Sequence, residues 1–154
     1  MPATPDTATH ETLLAFDFGL RRIGVAVGQT VTGSANPVGV VANGATGPDW
    51  QRIAKLIHEW GAARLVVGMP LQVDGSRSAI SDAIGAFVTG LARFSLPVET
   101  IDESYSSAEA QQMLVAERRL GMRGRIRKEM IDAAAATLIA ERWLRRHHQA
   151  GNGR

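Results

Sequence analysis

The chain has no cysteine, and aromatic residues fill only 5% of its 154 positions. The first absence excludes thiol nucleophiles, disulfides, iron–sulfur clusters and cysteine-ligated zinc, and it fits a reducing compartment, the cytoplasm. The second argues against a single-strand surface made of ranks of stacked bases. No apolar run approaches the roughly 18 residues that a membrane span needs. The opening MPATPDTATHE has neither the basic nor the apolar stretch of a secretory signal, so no membrane partner is expected. Lysine stands only at Lys55 and Lys128, so the 17 cations are nearly all arginine. His10, His58, His147 and His148 show no metal-ligand spacing, and there is neither a G-x-S-x-G elbow nor a Walker loop.

What is present suits one globular domain: 45% apolar and 21% charged residues, with no internal repeat and no Gly/Ser-rich or Pro-rich linker. A domain over 12–147 is expected, with loose tails at 1–11 and 148–154. The net charge is only +2, yet the pI is about 9.7, and the cations are unevenly spread. Between Glu117 and Glu129 the run ERRLGMRGRIRKE holds Arg118, Arg119, Arg123, Arg125, Arg127 and Lys128, and RRHH follows at 145–148. The C-terminal third is the basic end.

Thr12–Asp17 (TLLAFD) and the alternating Ile23–Gly28 (IGVAVG) are two short strands that, joined by Phe18 to Arg22, read as a hairpin. A third strand is expected near Ala35–Ala42, where Pro37 lacks a ladder donor and suits a sheet edge. Trp50, Ile53, Ala54, Ile57 and Trp60 recur at helical spacing, and Gly61 stops the helix. A strand at Arg64–Gly68, a helix at Ser78–Phe94 and a strand at Leu96–Ile101 follow, then helices at about 107–119 and 128–146. The fold class is therefore α/β: a five-stranded mixed sheet flanked by helices, its first three strands antiparallel and its last two parallel.

Three acids stand where chemistry is expected. Asp17 lies where an apolar strand runs into a glycine turn; the plain alternative is turn punctuation. Glu103, beside Asp102, ends the last strand; the alternative is a helix cap. Asp132 shares a helix face with Ala135, Ala136, Ile139 and Trp143, so it must be paired, protonated or metal-bound; the alternative is a salt bridge to an arginine. The small residues Ala133 to Ala136 let this helix approach the strands closely. If the three carboxylates converge at the C-terminal ends of parallel strands, oxygen-only ligation selects Mg²⁺ or Mn²⁺. Two such ions about 4 Å apart activate water and stabilise the leaving oxygen of a phosphodiester. Arg21, Arg22 and the Arg118–Lys128 cluster then read as phosphate grips, against the alternative of a solvated charged face. Asp74, in the loop from Gly68 to Gly75, reads as a turn residue.

Four strings in order, LAFDFGLRRIGVAVG, VVGMPLQVDG, IDESYSSAEA and KEMIDAAAATLIAERWL, make the chain resemble the YqgF (RuvX) family from about Leu13 to Leu144. The resemblance implies a ribonuclease H-like fold. It also implies the activities for which that family is described: Holliday junction resolution, and nuclease maturation of the 5′ end of pre-16S ribosomal RNA. The family's D-x-G acid falls on Asp17, its D-E-R glutamate on Glu103 and its last-helix aspartate on Asp132. The chain departs from the pattern at Ser104, where the family has arginine, and PLQVDG replaces the family's P-L-N-M-D-G.

The expectation is thus a Mg²⁺- or Mn²⁺-dependent endonuclease acting on structured RNA, with pre-16S rRNA as the leading candidate and ribosome association open. Resolution of branched, four-way DNA and a non-catalytic nucleic-acid-binding module are the rivals. Monomer and homodimer both remain open. An actin-like ATPase, which also uses D-x-G before a hairpin, needs two such domains and far more than 154 residues.

Overall fold

The computed structural model describes residues 10–70, 79–103 and 124–152. Its elements in chain order are strands β1 (Thr12–Phe18), β2 (Arg22–Gln29), β3 (Ser34–Gly44) and β4 (Gly47–Pro48), helix α1 (Trp50–Trp60), strand β5 (Arg64–Pro70), helix α2 (Ala79–Leu91), strand β6 (Val98–Glu103) and helix α3 (Gly124–Asn152). Among the described residues the strands form one sheet in the order β4-β3-β2-β1-β5-β6. β1, β2 and β3 are antiparallel neighbours, whereas β1, β5 and β6 run parallel. The mixed sheet is as expected, with one strand more: β4 pairs only Gly47 and Pro48 with Gly44 and Asn43, too short a stretch for any periodicity to reveal. Because β4 stops there, β3 is unpaired on its outer side at Pro37 among the described residues, and Pro37 has no N–H to offer.

Alternation along the strands sorts side chains to two faces. Leu14 and Phe16 of β1, Ile23, Val25 and Val27 of β2, and Leu65 and Val67 of β5 face α1 and α2 and join Ile53, Leu56, Ile84, Phe87 and Leu91 in one core. Phe87 is its hub, edge-on to Phe16 at 5.6 Å and stacked with Trp50 at 5.7 Å. Leu13, Ala15, Val66 and Ile101 face the other way, onto Ile139, Ala140, Trp143 and Leu144 of α3.

Helix α1 forms where its apolar spacing predicts: the Asp49 side chain accepts from the Arg52 N–H, and Gly61 ends the helix at φ 59°, a conformation open to glycine. Helix α3 starts before Lys128 and runs on to Asn152, through residues whose composition reads as a tail. At the other end Glu11 bonds the Thr30 hydroxyl through its N–H and pairs with Arg64. The helix expected at 107–119, Asp74 with its loop beyond Pro70, and Ser104, Arg118, Arg119 and Arg123 lie outside the described residues.

Candidate active site at the C-terminal strand edge

Asp17 sits near the end of β1, directly across the antiparallel ladder from Gly24. It shares the strand face of Leu13 and Ala15, which is the face covered by α3. Gly24 makes the site possible. A Cβ built on it would stand 2.0 Å from the Asp132 carbonyl oxygen and 2.4 Å from its carbon, so any other residue would lift the helix off the strand. Directly opposed residues on one sheet face have Cβ positions about 4.5–5.5 Å apart. The backbone of Asp132 therefore rests on the position next to Asp17, although the two acids are far apart in the chain.

The Asp132 carboxylate is oriented from the same strand: Arg22 Nε donates to its Oδ2 at 2.8 Å, with both side chains partly buried. Arg21, on the preceding turn, is exposed. That turn is fixed by Asn43, whose side-chain amide donates to the Gly19 carbonyl at 2.7 Å and whose backbone N–H donates to the Arg21 carbonyl at 3.0 Å. Asn43 is buried at 8% exposure, a polar group whose partner is backbone that nothing in the sequence names.

Glu103 ends β6, paired in register with Pro70 of the parallel β5. Its position belongs to the alternate set of Glu99 and Ile101, and Ile101 contributes to the α3-side core. β1, β5 and β6 are parallel, so Asp17 and Glu103 lie at the same edge of the sheet. Arg142 of α3 donates to the Asp102 carbonyl at 2.8 Å, which ties the helix to the end of β6. The structure thus brings Asp17, Asp132 and Arg22 together, leaves Arg21 exposed on the adjoining turn, and puts Glu103 on the same edge. Lys128 is exposed on the first turns of α3, and Arg125 and Arg127 belong to the same helix.

Asp17 and Asp132 come from separate elements and meet where a glycine leaves room, and carboxylate oxygen is a donor type suited to hard divalent cations. Among the described residues no cluster of three or more histidine, cysteine, aspartate or glutamate side chains surrounds a cation position. Arg22 supplies the positive charge beside Asp132.

A second cluster, unforeseen from the sequence, lies at the opposite edge of the sheet. Arg64 pairs with Glu11 and Glu99. The hydrogen bond that Arg64 donates to Glu11, reinforced by the charges of both acids and opposed by partial burial, holds its guanidinium pKa above the usual value. Trp143 Nε1 donates to Glu99 at 3.2 Å. Only the apolar spacing of Trp143 on α3 hinted at this cluster.

A mixed sheet covered by helices, with acids at the C-terminal ends of its parallel strands and on the last helix, is the arrangement of the ribonuclease H-like fold. The fold is shared with a solved structure of T. thermophilus RuvC in complex with Holliday junction substrate, with a TM-score of 0.52 and 17% identity over 90% of this chain and 96% of that one. The chain belongs to the RuvX family: the family profile described as "RuvX: Holliday junction resolvase" matches residues 11–146. A relative from Azotobacter vinelandii is 43% identical over 133 residues, covering 86% of this chain and 92% of that protein. Another, from Xanthomonas campestris pv. campestris, is 42% identical over 151 residues, 97% of each. Both carry the name "Putative pre-16S rRNA nuclease".

Proposed function

We propose that this chain is a divalent-metal-dependent endonuclease that hydrolyses structured RNA, with 5′-end maturation of pre-16S rRNA in the cytoplasm as its task. It is a hydrolase acting on nucleic acid. The observation that carries this reading is the seating of Asp132 on Gly24, beside Asp17. The names of the relatives support the RNA substrate.

Asp17, Asp132 and Glu103 would hold Mg²⁺ or Mn²⁺. Bound there, the cation supplies Lewis acidity to a phosphoryl oxygen and to water. The remaining work falls to the chain itself. Arg22 is a positioning residue that fixes the Asp132 carboxylate. Asn43 holds the turn from Gly19 to Arg21, so that the exposed Arg21 meets a substrate phosphate at a constant place. In the reaction water gives up a proton as its oxygen bonds to phosphorus, the bridging P–O bond breaks, and the departing oxygen takes up a proton. Arg118, Arg119, Arg123, Arg125, Arg127 and Lys128 add phosphate contacts whose strength falls with salt.

The family's own description supports a second reading, resolution of four-way DNA junctions, which requires a symmetric dimer to cut paired strands. One experiment separates the two. Mg²⁺ and Mn²⁺ are titrated into the protein with a labelled rRNA-precursor leader and a four-way DNA junction side by side, with Asp17→Asn as control. The expected result is metal-dependent cutting of the RNA that the variant abolishes, as Glu103→Gln and Asp132→Asn also should. Selective cutting of the junction would replace the RNA reading with the DNA one. Binding without cutting, indifferent to chelator, would leave a module that binds nucleic acid and does not cleave it.

A further inference from the structure

We infer that His147, with Arg145 and Arg146, forms a second nucleic-acid site at the far end of α3, where an unpaired base of the substrate stacks on the imidazole and its phosphates meet the two arginines. This rests on the reading of the substrate as nucleic acid. The RRHH run is exposed throughout, and none of its residues contributes to the acid cluster.

The His147 ring lies 4.7 Å from the Trp143 ring and 12° from parallel. Trp143 is a firm base for it, only 7% exposed, with its N–H committed to Glu99 and the Arg64 guanidinium 5.4 Å from its ring centroid. An exposed imidazole with one face against a buried indole turns its other face to solvent. A flat, held ring of this kind is a stacking surface that tolerates any base.

The space around the ring suits a nucleotide. A cavity of about 260 Å³ lies on the side of Thr100 and Arg146, and one of about 460 Å³ lies between the turn at Thr30 to Gly33 and Arg145 with His148. His147 lines both. Arg64 offsets one of the two charges on Glu99 and Glu11, and with Arg145 and Arg146 the cations here outnumber those two acids by one. The low aromatic content argues against a continuous stacking platform, and this single ring pair is not one; it would grip one base. Fifteen positions along α3 separate His147 from Asp132, about 22 Å at 1.5 Å per residue. The site therefore reads substrate well away from the cut.

The test is equilibrium binding in chelator, with fluorescence anisotropy of a labelled RNA hairpin carrying a single-stranded extension and of the same hairpin made blunt. His147→Ala should weaken binding of the extended hairpin by about 10-fold and leave the blunt one unchanged. His147→Phe, which keeps a flat ring on Trp143, should restore it. Arg145→Ala and Arg146→Ala should each lower the salt slope by about 0.7–0.9 for the lost phosphate contact. Equal affinity of His147→Ala and wild type for the extended hairpin overturns the proposal, and so does equal weakening on both hairpins. If wild type binds neither RNA, the nucleic-acid reading falls with it; if only the His147 effect is missing, the site alone falls.

Discussion

The two faces of the sheet are made differently. Towards α1 and α2 the central strands present Leu14, Phe16, Ile23, Val25 and Val27, and the helices answer with Ile53, Leu56, Phe87 and Leu91. Towards α3 the same strands present Leu13, Ala15 and Asp17 of β1, and β2 offers Gly24 and Gly28 under the helix. The first face gains area removed from water, and with it most of the hydrophobic stabilisation. The second gives up bulk for proximity: a helix backbone rests on a strand, and an acid on that helix arrives beside an acid on the sheet. Stability and the site are thus assigned to opposite sides of one β-layer.

The sharpest way to break this division is on the apolar side. Phe87→Ala removes a ring contacted by Phe16, Phe18 and Trp50. It should cost about 3–5 kcal/mol in urea denaturation, while protein that stays folded keeps its metal-dependent cutting. Gly24→Ala should cost less, about 1–3 kcal/mol, yet abolish cleavage, because the added methyl meets the Asp132 carbonyl and displaces the acid. Gly28→Ala is its control: the atoms nearest the methyl there are side-chain atoms of Leu13 and Leu144, at 3.2–3.4 Å, rather than backbone. Wild-type cutting by Gly24→Ala would sink the idea that close approach makes the site. The smallest effect on stability belongs to Arg22→Gln, at most about 1 kcal/mol for a partly exposed ion pair. Its signature is catalytic: cleavage slows, while a double-mutant cycle with Asp132→Asn read in urea denaturation shows the coupling of the pair.

Much of this was legible in the sequence because it is local. The hairpin of β1 and β2, the Gly61 stop and the apolar face that includes Asp132 all follow from spacing within a few residues. Asp132 had to find a partner, and it did; that the partner is Arg22 could not be read, since the two are 110 positions apart. Asn43 escaped notice for a related reason. Its role depends on the Gly19 and Arg21 carbonyls, and backbone groups carry no side-chain signature. Strand β4 was too short for a pattern. The C-terminal run of α3 has the composition of a tail, and no periodicity marks it as helix.

The long contact between α3 and the sheet also limits how the chain can change length. One residue inserted between Asp132 and Ile139 would turn everything before it by about 100° around the helix axis and slide it about 1.5 Å. Asp132 would leave its seat on Gly24 while Ile139 and Trp143 stayed in place. The exposed turn at Val31 to Gly33 could take the same insertion with little effect on the sheet. Along α3, then, a substitution acts at its own position, whereas a change in the count of residues acts on everything before it.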